Sequence, residues 1–320
     1  RGNKSRSKKG GGIMKSPGLF YNAEIRNNGT ARRISEAFFR EGYVDTGMKR
    51  YSRPFHDKVD YGEHDFWLFV DDGRDDIPME LPKGDAPKCC YLVDTHLGYD
   101  TRLEWAKKFD VVFVAQLSAV DKMKNDGVNN VHWLPLACTP SVDLTAGELA
   151  RLPEEQIGQW GVNKRHDLVF VGFLNRGHLV DGEQVGNDRI DYLDKVFSKF
   201  PNSWLSFGSF MVDAAVRYAR GRVGFNISIR DDLNMRFFEC LSYGTCLVTN
   251  TNVIGIESLG FKEGEDFLGY TSPEEAIDKI DWALKNPMER EEIAKNGHMK
   301  VREMHTYNDR IKFMKEVTYG

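Results

Sequence analysis

The chain has 320 residues, 41% of them hydrophobic, 12% aromatic and 29% charged, and its 44 lysines and arginines against 48 aspartates and glutamates give a formal net charge of −4. That composition supports a sizeable buried core and excludes a fibrous or wholly disordered chain. No apolar run approaches the ~20 residues needed to cross a bilayer, and the slightly acidic total disfavours a globally basic nucleic-acid binder.

The charge is unevenly placed. Arg1, Lys4, Arg6, Lys8, Lys9 and Lys15 put six cations and no acid into the first fifteen residues, which takes the remainder from −4 to −10. Residues 1–12 read as a flexible basic arm, and the start lacks the basic–apolar–small pattern of a secretory signal. Cys89, Cys90, Cys138, Cys240 and Cys246 lie in or beside apolar segments without CxxC spacing. They form neither a disulfide framework nor a zinc set, and fit a reducing, cytoplasmic setting.

Along the chain, strands and helices alternate. Residues 18–21 read as a strand, and a helix follows over 30–41 with Thr30 as its N-cap and Ile34, Ala37 and Phe38 as its apolar stripe. Short apolar runs at 65–70, 89–93, 110–115 and 131–136 read as strands, with helices at 101–109 and 117–126 between them. Uninterrupted apolar strands separated by helices imply a parallel sheet covered on both faces. Residues 141–164 are polar and contain Pro153, Gly158 and Gly161, which marks a linker.

The pattern then restarts. Strands are predicted at 167–174, 203–207, 223–229, 246–249 and 266–270, and helices at 188–199, 211–220 and 234–243. Three more helices, over 273–285, 288–303 and 306–317, close the chain. The expected organisation is therefore α/β: a first doubly wound domain over 13–160, a second over 161–300, and a helical tail over 301–320 that crosses back to the first. Two such sheets facing across a cleft can grip two substrates at once, which favours group transfer over single-ligand binding.

The stretch from Asn226 to Asn250 carries the most chemistry. A polar loop, Arg230-Asp231-Asp232, leads into a helix opening near Asn234, where unpaired backbone amides attract phosphate. Arg236 in the first turn offers a guanidinium fork for a diphosphate. One turn on, Glu239 sits among apolar neighbours, where a carboxylate can accept from the two hydroxyls of a ribose; the alternative is a plain ion pair with Arg236 across the turn. In the first domain His96 and Asp94, in the segment Val93-Asp94-Thr95-His96, follow a strand and so fall at the cleft, where either can hydrogen-bond a donor or take a proton. Asp71 and Asp72 end another strand and are candidates for contact with a polar acceptor. The acid pairs Asp71-Asp72, Asp75-Asp76 and Asp231-Asp232 lack the spaced DxD pattern of a metal site, so no metal is expected.

The spacing Asp231-x7-Glu239, followed by CLSYGTCLVTN, resembles the E-x7-E segment of retaining glycosyltransferases with the GT-B fold. Arg236-Phe237-Phe238-Glu239 gives the R-x-x-E form typical of the spore-maturation (CgeB-type), group 1 members. Val171–Arg176, Val131–Cys138 and His305–Arg310 resemble, in turn, that family's strand–glycine loop, the close of its N-terminal domain and its C-terminal helix signature. The resemblance spans most of residues 110–315 and implies a metal-independent transfer of a sugar from a nucleotide diphosphate donor, a UDP-sugar above all, with no other cofactor. It implies that Glu239 holds the ribose, that Arg236, Asn234 and the helix amides hold the diphosphate with Arg176 as a further cation, and that Gly172 lets the backbone approach. Asp231 matches the acid that contacts the donor sugar, and Gly29-Thr30 the loop at the cleft. Asp is shorter than the usual Glu at 231, and Asp232 is its substitute. A nucleotide-sugar epimerase, a non-catalytic sugar-nucleotide binder, and a transferase acting on nucleic acid through the basic arm stand as alternatives.

Overall fold

A computed structural model of the chain describes residues 17–21, 29–43, 49–50, 64–71, 81–139, 164–173, 178–180, 183–185, 187–208, 212–230 and 232–320. Among the site residues expected from the sequence, Asp72, Arg176 and Asp231 lie outside the described residues.

The first half builds a six-stranded parallel sheet from β1 (Gly18–Tyr21), β2 (Lys49–Arg50), β3 (Trp67–Asp71), β4 (Lys88–Leu92), β5 (Val111–Val114) and β6 (Val131–Trp133), in the order β2-β1-β3-β4-β5-β6. Helices α1 (Thr30–Arg40), α2 (Tyr99–Ala106) and α3 (Ser118–Asn125) flank it. Strands β1, β3 and β5 are buried along their whole length, as a parallel sheet covered on both faces requires. Alternate residues then serve different cores: Phe20, Phe69, Cys90 and Val112 face one layer, while Leu19, Leu68, Tyr91 and Phe113 face the other.

The second half builds a five-stranded parallel sheet in the order β10-β7-β11-β12-β13, from β7 (His166–Gly172), β10 (Ser203–Phe207), β11 (Gly221–Asn226), β12 (Cys246–Asn250) and β13 (Leu268–Tyr270). A two-stranded antiparallel piece, β8 (His178–Val180) with β9 (Glu183–Val185), interrupts the connection out of β7, and nothing in the hydrophobic pattern predicted it. Helices α4 (Asn187–Phe197), α5 (Val212–Ala219) and α6 (Met235–Ser242) complete the unit. Helix α6 lies close on β11 because Gly224 has no side chain: a Cβ there would stand 2.2 Å from the Cys240 sulfur.

The order reverses at β7. The chain leaves β7 for β10 on one side and returns to β11 on the other, so the crevice beyond the carboxyl ends of β7 and β11 is the switch point where open parallel sheets take ligands.

Helices α7 (Pro273–Lys285), α8 (Pro287–Met304) and α9 (Tyr307–Tyr319) follow. Cys138 donates its amide to the His305 carbonyl at 3.0 Å and accepts from the Tyr307 amide at 3.1 Å, so the start of α9 pairs with the segment after β6. Arg310 donates to the Pro135 and Leu136 carbonyls, and Arg40 of α1 donates to Asn308. One hydrophobic core runs from β1, β3 and α1 through α9 into α6, joining the halves. All five cysteines are buried and free. No described helix is long and apolar enough to cross a membrane.

Candidate active site

A cleft of about 180 Å³ opens between the halves at this switch point. Its second-half wall is made by Phe170 to Phe173 at the end of β7, Asn226 and Ile229 at the end of β11, and Asp232, Asn234, Arg236 and Arg189. Asp94, His96 and Leu97 supply the wall from the first half. The cleft therefore brings together Asp94, His96, Gly172, Asn234 and Arg236 from the sequence expectations.

A neutral amide network holds the second-half wall in place. Asn234 is the N-cap of α6: its Oδ1 accepts from the Phe237 amide at 3.3 Å, and its Nδ2 donates to Asn226 Oδ1 at 3.2 Å and Ser228 Oγ at 3.0 Å. Asn250 Oδ1 accepts from the Ser228 amide at 2.7 Å, and the Tyr270 hydroxyl donates to the Asn226 carbonyl at 2.8 Å. The Asn234 side chain is thus engaged in fixing the helix end. What α6 presents to an anion is the amides of Met235 and Arg236, which a helix leaves without partners, and its positive dipole end. The loop feeding it is tight: the Asp232 amide donates to the Ile229 carbonyl at 3.2 Å, and Arg230 adopts φ +55°, in the left-handed region that costs a non-glycine residue about 1 kcal/mol or more.

Two guanidinium groups share this wall. Arg236 makes no hydrogen bond or ion pair with another described residue. Arg189, in the first turn of α4, donates to the Phe173 carbonyl at 3.1 Å and the Ile227 carbonyl at 2.8 Å, and its Nε has no hydrogen-bond partner. Burial and the nearby Arg236 charge lower its pKa to about 10, against an opposing pull from Asp232. Sequence reasoning missed Arg189. The helix around it was legible, but nothing in the stretch between β7 and α4 says that this turn returns to the strand end. Gly172 is closely packed on the cleft wall, since a Cβ there would meet the Phe170 ring at 2.6 Å.

Other expected residues lie elsewhere. Glu239 is 4% exposed, is not part of the cleft wall, and its Oε1 accepts from Arg33 Nη2 of α1 at 2.6 Å. The ion-pair alternative for Glu239 named Arg236; the partner is instead Arg33, from the other half of the molecule. Arg33 also donates to Thr139 at 3.0 Å. Burial acts to lower the Arg33 pKa, but Glu239 and neighbouring tyrosines outweigh it and hold it above the ordinary arginine value. Thr30 is buried and Gly29 half-buried at the head of the same helix; Gly29, not Thr30, is its N-cap. Asp71, expected to meet an acceptor, is 2% exposed and accepts from Arg102 Nε at 2.6 Å. A strand-end acid that close to a buried guanidinium is a structural partner. No cluster of three or more potential metal-ligating side chains occurs among the described residues.

With this geometry the chain can be compared with known proteins. Residues 203–316 match the model of a family described as glycosyl transferase-like. No curated protein matches the chain in sequence. Solved structures resemble it over nearly its whole length. Sucrose-phosphate synthase from Thermosynechococcus elongatus is 12% identical, with 95% of this chain and 98% of that chain covered and a TM-score of 0.61. HepE from Anabaena, solved with UDP and glucose, is also 12% identical, with 95% and 99% covered and a TM-score of 0.62. An alpha-glucosyltransferase solved with UDP-glucose and DNA containing an abasic site is 10% identical, with 96% and 100% covered and a TM-score of 0.61. Two facing parallel sheets with a cleft at the switch point give the chain the GT-B fold of these structures, and within it residues 203–316 match a glycosyl transferase-like family.

Proposed function

We propose that the chain moves a sugar from a UDP-sugar donor to an acceptor held on the first-half side of the cleft, with retention of configuration and without a metal ion. One observation carries this reading: two guanidinium groups and a helix N-terminus share one wall, and neither guanidinium has a described carboxylate in ion-pair contact. Keeping unneutralised cations beside each other is unfavourable unless an anion completes the site. A nucleoside diphosphate supplies that anion, and two proteins of like fold were solved with UDP and with UDP-glucose.

In the proposed step the bond between the sugar anomeric carbon and the β-phosphate oxygen breaks, and its electron pair leaves with the diphosphate. Arg189, Arg236 and the α6 amides neutralise the charge that develops there. The acceptor oxygen bonds to the anomeric carbon, and its proton passes to the departing phosphate or to His96, with Asp94 as the other candidate on that wall. Gly172 gives the backbone clearance for the diphosphate. Asp231 and Asp232 remain the candidates for the sugar hydroxyls, Arg176 for a further phosphate contact, Gly29, Thr30 and Asp72 for the acceptor side. For Glu239 to hold the ribose, Arg33 must share its carboxylate or release it. The free, buried thiols fit a reducing compartment such as the cytoplasm.

The test is a thermal-shift panel of nucleotide sugars. A UDP-sugar at 100 times its dissociation constant adds about 2.7 kcal/mol of stability, whereas no shift with any diphosphate nucleotide would end the proposal. Chelation should leave turnover unchanged, and proton NMR of the sugar released by slow donor hydrolysis should show the donor's own anomer first.

A nucleic-acid acceptor is the second reading, favoured by the six cations of residues 1–15. It predicts acceptor binding that falls steeply with salt and weakens when those residues are removed.

A further inference from the structure

Few side chains join the two walls of the cleft, and Gln116 is one that does. It follows β5 at the carboxyl end of the first sheet, does not line the cleft, and is 1% exposed. We infer that Gln116 is a positioning residue for transfer: its amide ties the turn carrying Asp94 and His96 to the loop carrying Asp232, and so sets the acceptor wall against the donor wall. The inference rests on the reading of the cleft as the donor site.

The amide is fully used. Its Oε1 accepts from the Thr95 amide at 3.0 Å and the Thr95 hydroxyl at 2.6 Å. Its Nε2 donates to the Val93 carbonyl at 2.5 Å and to Asp232 Oδ1, in the other half, at 2.8 Å. The partners dictate which end is which: a backbone N–H demands an acceptor, while a carbonyl and a carboxylate demand donors. Glutamate in this place would set a second carboxylate against Asp232 and Val93. An apolar side chain would leave the Thr95 amide and the Val93 carbonyl buried without partners.

Both tied segments carry site residues. On one side the turn closes by the Leu97 amide donating to the Asp94 carbonyl at 2.9 Å, and Thr95 within it is the anchored residue. On the other, Asp232 ends the tight turn through Arg230 that delivers α6 and Arg236. Reacting atoms tolerate little misplacement, about 1 Å costing on the order of 10²-fold in rate, so a tie across the cleft acts on turnover more than on donor affinity.

Two measurements on the full chain test this. The first needs no donor: hydrogen exchange of the backbone amides of residues 95–97 in Asp232→Ala, which removes the cross-cleft bond to Gln116 and leaves the three Gln116 bonds within the first half. Exchange there should rise about tenfold although the substitution lies in the other half, and unchanged exchange overturns the tie. The second measures UDP affinity by calorimetry and UDP release from UDP-glucose in Gln116→Met. Affinity should stay within about threefold of wild type while turnover falls about 10–100-fold, and the loss should shrink in an Asp232→Ala background. Equal turnover, or losses that simply multiply, overturn the positioning role. If Gln116→Met does not fold, Gln116→Glu keeps the shape and is expected to show the same split. Failure of the wild type to bind UDP would instead refute the donor reading, and the exchange result would still decide Gln116.

Discussion

The two walls of the cleft rest on parallel sheets of the same design, yet the arginines behind the first wall and those on the second wall are handled in opposite ways. In the first half each buried guanidinium meets a carboxylate: Arg33 reaches Glu239 and Arg102 reaches Asp71, both at 2.6 Å and both shut away from water. In the second half Arg189 and Arg236 face one cleft, where burial and then the Arg236 charge lower the Arg189 pKa, and neither has an ion-paired acid among the described residues. A compensated pair is scaffold, because its removal leaves an orphaned charge. An uncompensated pair on a concave wall is a site, because only a ligand completes it.

The sharpest way to break this contrast is to truncate one arginine of each kind. Arg33→Ala leaves the Glu239 carboxylate buried and unpaired, and chemical denaturation should register a loss of about 3–5 kcal/mol. Replacing both partners together, Arg33→Met with Glu239→Leu, should recover most of it. Glu239→Ala is destabilising for the same reason, so a test of ribose binding needs Glu239→Gln, which keeps an acceptor for Arg33. Comparable stability for Arg33→Ala and wild type would dissolve the distinction between the walls.

Acid sharpens the contrast along the seam where the chain crosses between halves. His305 sits there, 5% exposed, with Nε2 at 2.9 Å from the Leu259 carbonyl and Nδ1 at 3.3 Å from Arg310. Nδ1 must therefore accept from Arg310, and the ring is neutral. Burial, and then the Arg310 charge, lower its pKa from 6.5 to about 4. The unfolded chain then binds the proton more readily than the native one. The stabilisation is complete above the unfolded value and is lost as the pH falls toward the folded one, by about 3 kcal/mol. Urea denaturation between about pH 7 and pH 4 should show this loss, and His305→Asn should flatten it.

The second-half arginines should behave the other way round. Arg236→Ala removes no described bond, so the unliganded protein should melt as wild type does while UDP affinity by calorimetry falls about 10–100-fold. Arg189→Lys keeps the charge but loses the fork that grips Phe173 and Ile227, and should cost less affinity than Arg189→Ala. An Arg236→Ala protein that binds UDP normally would remove the diphosphate from this wall.

The same contrast explains what the sequence could disclose. Elements with an uninterrupted apolar run or a clear start signal were legible, from β5 at Val111–Val114 to the Ser272-Pro273 opening of α7. So was the α6 entrance, because Asn234, Arg236 and the loop before them are neighbours along the chain. Partnerships across long separations were not. Glu239 and Arg33 are 206 residues apart, and no local pattern says that an acid read as a ribose ligand, or else as the partner of Arg236 one helical turn away, reaches another domain. Asp71 read as a cleft acid because it ends a strand, a position that does not reveal Arg102 waiting 31 residues on. Arg189 and Gln116 were missed for the same cause: each acquires its work only where two separated segments meet.

The smallest effect concerns to which half the tail belongs. Thr306 caps α9 with a full box: its hydroxyl accepts from the Asp309 amide at 3.3 Å, and Asp309 Oδ2 accepts from the Thr306 amide at 2.9 Å. The box sits where Cys138 pairs with the chain on either side of Thr306, and one turn before Arg310 reaches Pro135 and Leu136. The cap therefore stabilises the tail against the first half, on the side of the molecule where charges are compensated. Thr306→Ala should cost about 1 kcal/mol and Thr306→Ser almost nothing, with UDP affinity unchanged in both. A Thr306→Ala variant that lost UDP affinity while keeping its stability would mean that the tail acts on the donor wall, and the division between scaffold charge and site charge would have to be redrawn to include it.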